Sequence, residues 1–243
     1  MIKAVILDLD GTVYEGNRLI DGADTAIEFM RRKGLKVIFC SNNSSRPAAD
    51  ISKKLNSMGI PCTEEDVVSS GSLAVRYSVD NHLERVYFCG SDRMREEFQR
   101  NGIDLCRPEE CRNLIIGMDT EFDYAKMTAG VRAALAAERI TVCNVDGLYP
   151  AEDGVKPGCG AMVSSILSVT KRDYDIILGK PGTMMISFIS EKYGFSAEEM
   201  MVIGDGEDSD IAMANSYGSP SLLIGKDLSA LKDVIQMELP LSH

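Results

Sequence analysis

Histidine is nearly absent from this 243-residue chain: His82 lies in a polar stretch and His243 is the final residue. A Ser-His-Asp or Cys-His nucleophile would need one of these two as its base, and neither has promising surroundings. Zinc sites built on histidine clusters fail for the same reason. Cys-x-x-Cys pairs are also missing. The seven cysteines, at 40, 62, 89, 106, 111, 143 and 159, are odd in number and read as buried, reduced thiols. No apolar run approaches the length of a membrane span, and the N-terminus leads into a strand without a signal-peptide pattern, so the expected location is cytoplasmic. Positive charge is in deficit: 26 Lys and Arg against 37 Asp and Glu leave a formal charge of −11. That argues against a nucleic-acid surface and against adhesion to an anionic membrane, and favours small-molecule partners. Any hydrolytic chemistry here must rest on carboxylates, lysine and a hard metal.

What is present begins at residue 4. The run Ala4-Val5-Ile6-Leu7 is wholly apolar and ends in Asp8-Leu9-Asp10-Gly11-Thr12. In a strand, alternate side chains share a face, so Asp8 and Asp10 project together while Leu9 packs the other way. Gly11 permits a sharp turn out of the sheet. Two carboxylates forced side by side repel, and each is driven towards protonation unless a cation sits between them. Mg²⁺ suits the need, because it takes oxygen ligands, commonly one or two carboxylates, and completes its shell with water and phosphate oxygens. A calcium EF-hand does not fit, since the alternating ligands and closing Glu are missing.

Short apolar runs then alternate with helical patterns, the grammar of a parallel, doubly wound α/β sheet. Helices are expected at 23–33 and 47–58, closed by Gly34 and Gly59, with strands at 36–40 and 66–70 and a further helix opening near Ser72. A second alternation occupies roughly 83–174: strands at 85–89, 113–116 and 140–145, helices at 93–101, 124–138 and 159–170. This block reads as self-contained. The original theme resumes with Asp175-Ile-Ile-Leu-Gly-Lys180, a helix to about 193, strand 200–205, a helix near 208–215 and a strand at 221–224. The division expected is a catalytic core from 1–82 and 175–243, with an inserted α/β cap at 83–174.

In open parallel sheets, ligands bind beyond the carboxyl ends of the strands. Four apolar runs end in chemically able residues: Asp8 and Asp10; Ser41 with Asn42 and Asn43; Lys180; and Asp205 with Asp208 and Asp210. Together they supply what phosphoryl transfer requires. Asp8 would attack phosphorus and form an aspartyl-phosphate, and Asp10 would protonate the leaving oxygen and then deprotonate the attacking water. Ser41, with Asn42 and Asn43, would hold the phosphoryl group, and Lys180 would add a point charge. Asp205 would complete a metal cage with Asp8 and the backbone carbonyl of Asp10, with Asp210 or Asp208 standing behind it.

With these residues in view, the chain resembles the haloacid dehalogenase superfamily, whose four motifs match Asp8-Leu-Asp-Gly-Thr12, Ser41, Lys180 and Gly204-Asp205-…-Asp210. Asp10 separates it from the dehalogenases proper. Thr12-Val-Tyr14, Ser41-Asn-Asn-Ser-Ser45 and Gly179-Lys-Pro181 are similar to the NagD-like, para-nitrophenyl-phosphatase branch, which carries a type IIA α/β cap. The resemblance implies a Mg²⁺-dependent phosphatase of small phosphomonoesters such as sugar phosphates, nucleotides, phosphoglycolate and aryl phosphates, and it allows a cap-mediated homodimer. Two alternatives stay open: a phosphotransferase or mutase on the same intermediate, and a non-catalytic sensor of a phosphorylated metabolite. Ser41 stands where the branch often has Thr, and Gly206-Glu207 departs from the usual sequence. Cys143-Asn-Val-Asp146 replaces Thr-Asn-Pro-Asp, so by resemblance Asn144 and Asp146 face the substrate, with Tyr149 or Asp153 as alternative contacts to the leaving group.

Overall fold

A computed structural model describes residues 1–151 and 154–225. In chain order the described elements are β1 (Ala4–Asp8), the short pair β2 (Tyr14–Glu15) and β3 (Arg18–Leu19), α1 (Ala23–Arg32), β4 (Lys36–Ser41), α2 (Ala48–Ser57), β5 (Val67–Ser69) and α3 (Ser70–Asp80). There follow β6 (Val86–Cys89), α4 (Asp92–Arg100), β7 (Asn113–Ile116), α5 (Tyr124–Ala136), β8 (Arg139–Val142), the hairpin β9 (Leu148–Ala151) and β10 (Gly154–Pro157), and α6 (Cys159–Thr170). The last of the described elements are β11 (Ile176–Ile177), α7 (Met184–Tyr193), β12 (Met200–Gly204), α8 (Ala212–Tyr217) and β13 (Ser221–Leu223).

Among the described residues, β13-β12-β1-β4-β5 form one sheet and β11-β8-β7-β6 another, with parallel pairing throughout both. Central β1 is buried on both faces, as a parallel strand between helical layers must be. Helix boundaries follow local chemistry. Ser69 caps α3 by accepting the Ser72 N–H, and Ser91 caps α4 by accepting that of Met94. In α1 the buried positions Ala23, Ala26, Ile27 and Met30 form one stripe, with Asp24 in the first turn and Arg31 and Arg32 in the last.

Two expectations are corrected. The segment after Asp175 does not rejoin the first sheet: Ile176 and Ile177 pair with Thr141 and Val142 at the edge of the second. The return comes later, when α7 packs Met185, Ile186 and Ile189 beside Ala4 and Ile6 and then β12 pairs with β1. Nor is the inserted block self-contained. One buried cluster joins Ala4, Ile6 and Ile38 of the first sheet to Val86, Phe88 and Ile115 of the second, through Met94 and Phe98 of α4. Polar links reinforce it, with Arg93 bidentate to Asp50 at 2.8 and 3.1 Å and the Met118 N–H donating to Ser44 Oγ at 2.8 Å.

The cysteines are all free; five are buried, whereas Cys62 and Cys106 are half-buried, a departure from the expected uniform burial. Among the described residues no helix is long and apolar enough to cross a membrane.

Phe98 is fully buried and lies 4.7 Å, centroid to centroid, from Phe88 within the shared cluster. Phe98→Ala is expected to cost about 3–5 kcal/mol in urea unfolding monitored by circular dichroism. Because the cluster is common to both sheets, the loss should appear in a single transition; separate transitions for the two sheets would contradict it.

Candidate active site

The alternation of β1 decides the first placement. Val5, Leu7 and Leu9 pack on one face, and Ala4 and Ile6 on the other. Asp8 follows the second set and ends the strand, 6% exposed. The chain then turns at Gly11, whose φ of +92° suits glycine. Space demands it too, since a Cβ there would lie 2.3 Å from Asp205 Oδ2. The next residue, Thr12, is fully buried and ties β1 to the end of β12: its hydroxyl donates to Asp205 Oδ1 and accepts the Asp205 N–H, both at 3.1 Å.

Lys180 arrives from the other sheet. Leu178 and Gly179 bond back to Val142 and Cys143, and the next side chain crosses to the end of the first sheet. There its ammonium donates to Asp8 Oδ1 at 2.5 Å and to Asp210 Oδ1 at 2.7 Å, with both side chains and the lysine almost wholly enclosed. The second Asp210 oxygen accepts the Gly206 N–H at 3.2 Å. Carboxylate oxygens of Asp8, Asp205 and Asp210 all lie within 4.8 Å of one another, an oxygen-only donor set suited to a hard cation.

Charge crowding shows in the acid–base character of the site. Burial pushes the Asp8 carboxyl up to about 7, against the pull of Lys180 and with the push of Asp210. Burial also raises Asp10, which reaches solvent but is crowded by protein; Lys54, Lys180 and a hydrogen bond from the Tyr14 hydroxyl oppose that rise. Tyr14 itself is raised, by burial first and then by Asp10 and Asp8. Lys180 stays charged: its two carboxylate partners outweigh burial and hold it well above the ordinary lysine range. Cys40, whose carbonyl faces Lys180 at 3.4 Å, is buried as a thiol pushed up to about 12.

The loop after β4 divides its work among neighbours. Ser41 is buried, and its Oγ accepts the Asn43 N–H at 3.1 Å. Asn43 spends its side-chain oxygen on the backbone N–H groups of Ser45 and Arg46, at 3.0 and 3.1 Å, so it shapes its own loop. Asn42 instead faces Lys180 and the inserted block, where its amide meets the Asp146 carboxylate and its carbonyl accepts Asn144 Nδ2 at 2.6 Å. Asn144 and Asp146 are therefore turned onto the 41–43 loop.

Asp208 is exposed and stands outside the acidic trio, whereas Asp210 is buried within it. Tyr149 lines a cleft of 440 Å³ in the inserted block with Met118, Phe122, Lys156 and Met162. Asp153 and His243 lie outside the described residues. Sequence reasoning quoted Thr12 and Tyr14 within motifs but gave them no role in the site, and it missed Lys54, whose Nζ lies 3.5 Å from the Tyr14 ring centroid. The signal for Thr12 and Tyr14 was their position directly after the Asp8–Gly11 turn; nothing local marked Lys54.

Residues 5–104 match the family model described as haloacid dehalogenase-like hydrolase, and residues 177–240 match a second, HAD-hydrolase-like model. The sugar-phosphatase AraL of Bacillus subtilis is 33% identical over 222 residues, spanning 90% of this chain and 82% of the relative. An acid sugar phosphatase of Staphylococcus epidermidis is 27% identical over 98% of this chain and 92% of its own length. Among solved structures, the p-nitrophenyl phosphatase from Archaeoglobus fulgidus superimposes with a TM-score of 0.87 at 26% identity, covering 97% of this chain and 92% of that one.

Removing the ammonium tests the buried trio. Lys180→Met leaves Asp8 and Asp210 without their cation, and breaking such a pair costs about 3–5 kcal/mol when the remaining charges stay ionised. Loss of Lys180 also removes a downward pull on Asp8, so its carboxyl rises further. Where Asp8 is protonated only Asp210 loses an ionic partner; where Asp8 is ionised both buried carboxylates do. Metal-free denaturation curves should show a stability deficit that grows from pH 5 to pH 8; an equal deficit at both would contradict the arrangement.

Proposed function

The chain belongs to the haloacid dehalogenase-like hydrolases, and from that membership we propose a Mg²⁺-dependent phosphatase acting on small phosphomonoesters through an aspartyl-phosphate at Asp8. The observation that carries this reading is the buried Lys180 ammonium between Asp8 and Asp210 with Asp205 beside them. The names of the relatives, sugar phosphatases and p-nitrophenyl phosphatases, support sugar phosphates and aryl phosphates as substrates.

Asp8 is the nucleophile: its free carboxylate oxygen attacks phosphorus while Lys180 orients the other. Asp10 gives its proton to the departing oxygen as the P–O bond breaks, then takes one from the water that cleaves the acyl phosphate. The raised character of Asp10, caused first by burial, suits this alternation, because it makes the carboxyl a better proton carrier than an ordinary aspartate. Ser41 would hold the phosphoryl oxygens through its hydroxyl, whose oxygen the Asn43 N–H fixes. The oxygens of Asp8, Asp205 and Asp210 fit a divalent cation, which Asp8, Asp205 and the Asp10 carbonyl would hold with Asp210 behind. When bound, the cation would neutralise the trio and polarise the phosphoryl group.

Asp8→Asn should lower turnover of p-nitrophenyl phosphate by at least about 10³-fold with the fold intact, because it removes the nucleophile. Full activity in that variant would end the proposal. In ¹⁸O-labelled water the released phosphate should carry label, whereas unlabelled product transferred to a second hydroxyl would indicate a phosphotransferase, and tight binding without release a sensor. Proton and metal compete at Asp8, whose carboxyl lies near 7. Apparent Mg²⁺ affinity in calorimetric titration should therefore fall about tenfold per pH unit below 7, and affinity unchanged from pH 6 to 8 would count against Asp8 as a ligand.

A further inference from the structure

Lys180 reaches the catalytic end of the first sheet from a strand of the second, so some contact must register one against the other. That contact is the side chain of Asn42. Its Oδ1 accepts the Lys180 N–H at 2.8 Å, and its Nδ2 donates to the Lys180 carbonyl at 3.0 Å. One amide thus grips both ends of a single residue, a two-point hold that restrains rotation as well as position. The other Nδ2 hydrogen points to Asp146, at 2.9 Å from Oδ2 and 3.2 Å from Oδ1.

The partners settle which way the amide faces. An ionised carboxylate only accepts and a backbone N–H only donates, so Asp146 demands nitrogen on its side and Lys180 demands oxygen on the other. Asn144 closes the figure: its Nδ2 donates to the Asn42 carbonyl at 2.6 Å, and its Oδ1 accepts the Asp146 N–H at 3.1 Å. Ser70 braces the same carbonyl from α3 at 2.8 Å. Gly179 leaves the room required, since a Cβ there would lie 2.5 Å from Asn42 Oδ1 and 2.5 Å from the Cys143 carbonyl oxygen.

We propose that Asn42 and Asp146 are positioning residues that together set the Lys180 ammonium between Asp8 and Asp210, in place of the substrate contacts their motifs suggested. This rests on the phosphatase reading of the same site. Asp146 belongs to the inserted block, between β8 and β9, so the block takes part in catalysis through the lysine as well as through whatever it offers a leaving group.

An exchange of partners tests it, using full-length protein with Mg²⁺, p-nitrophenyl phosphate and one sugar phosphate. Asn42→Asp sets two carboxylates face to face and should lower kcat by about 50-fold on both substrates, with KM within about twofold of wild type. The double variant Asn42→Asp with Asp146→Asn restores complementarity: the new carboxylate accepts from the Lys180 N–H and from the new amide. Its kcat should return to within about fivefold of wild type, the residue of the loss reflecting the Lys180 carbonyl, which then faces a carboxylate oxygen in place of an N–H donor. If Asn42→Asp fails to fold, Asp146→Ala carries the test, with kcat expected about tenfold lower and KM unchanged.

Failure of the double exchange to recover activity, wild-type kcat in Asn42→Asp or Asp146→Ala, or KM effects that differ between the two substrates would each overturn the proposal. The outcomes separate from failure of the phosphatase reading. Wild-type-like behaviour at positions 42 and 146 beside an inactive Asp8→Asn sinks this inference alone, whereas an active Asp8→Asn sinks the reading beneath it.

Discussion

A lysine ammonium buried between two buried carboxylates is the constraint from which the remainder of this molecule follows. Removing three charges from water is unfavourable by several kcal/mol for each ion, and only close pairing with full hydrogen bonding makes the arrangement tolerable. Lys180, Asp8 and Asp210 meet that condition at 2.5 and 2.7 Å, and the Gly206 N–H satisfies the far oxygen of Asp210. The three come from separate places: the end of β1, the turn after β12, and a segment leaving the second sheet. Their meeting fixes how the two sheets are joined. A net negative charge still remains once Asp205 is counted, which is the electrostatic reason for a divalent cation at this end of the sheet.

Much of this was legible in the residues. Alternation in the run from Ala4 to Asp10 placed Asp8 at the open end of a buried strand, and Gly11 marked the turn. The glycines at 34 and 59 marked where α1 and α2 stop. Lys180 was recognised as chemistry but assigned to the wrong sheet, for a plain physical reason. Ile176-Ile177 is a short apolar run, and such a run carries no record of its partner; pairing with Thr141 and Val142 is a non-local event. The same limit governs the adjacent amides. Nothing in Ser41-Asn42-Asn43 says that the second amide will cap its own loop while the first turns to Lys180, because backbone geometry makes that choice.

The inserted block consequently has a closer bond to the chemistry than a detachable lid would. It shares a buried cluster with the first sheet, supplies the strand that carries Lys180, and sends Asn144 and Asp146 to the loop after β4. Apart from these contacts the block carries a cleft beside Tyr149, Phe122 and Lys156, whose lining mixes apolar side chains with Asp119, Thr120 and Ser165. On the proposed reading the first sheet would handle the phosphoryl group, and the second would hold the lysine in register.

On the proposed mechanism Asp8 carries the phosphoryl group during turnover. Borohydride reduces an acyl phosphate to an alcohol, so quenching the enzyme during turnover of p-nitrophenyl phosphate with Mg²⁺, followed by reduction and peptide mass spectrometry, should convert residue 8 to homoserine. Conversion at any other carboxylate, or turnover that proceeds with residue 8 always recovered as aspartate, would contradict phosphorylation at Asp8.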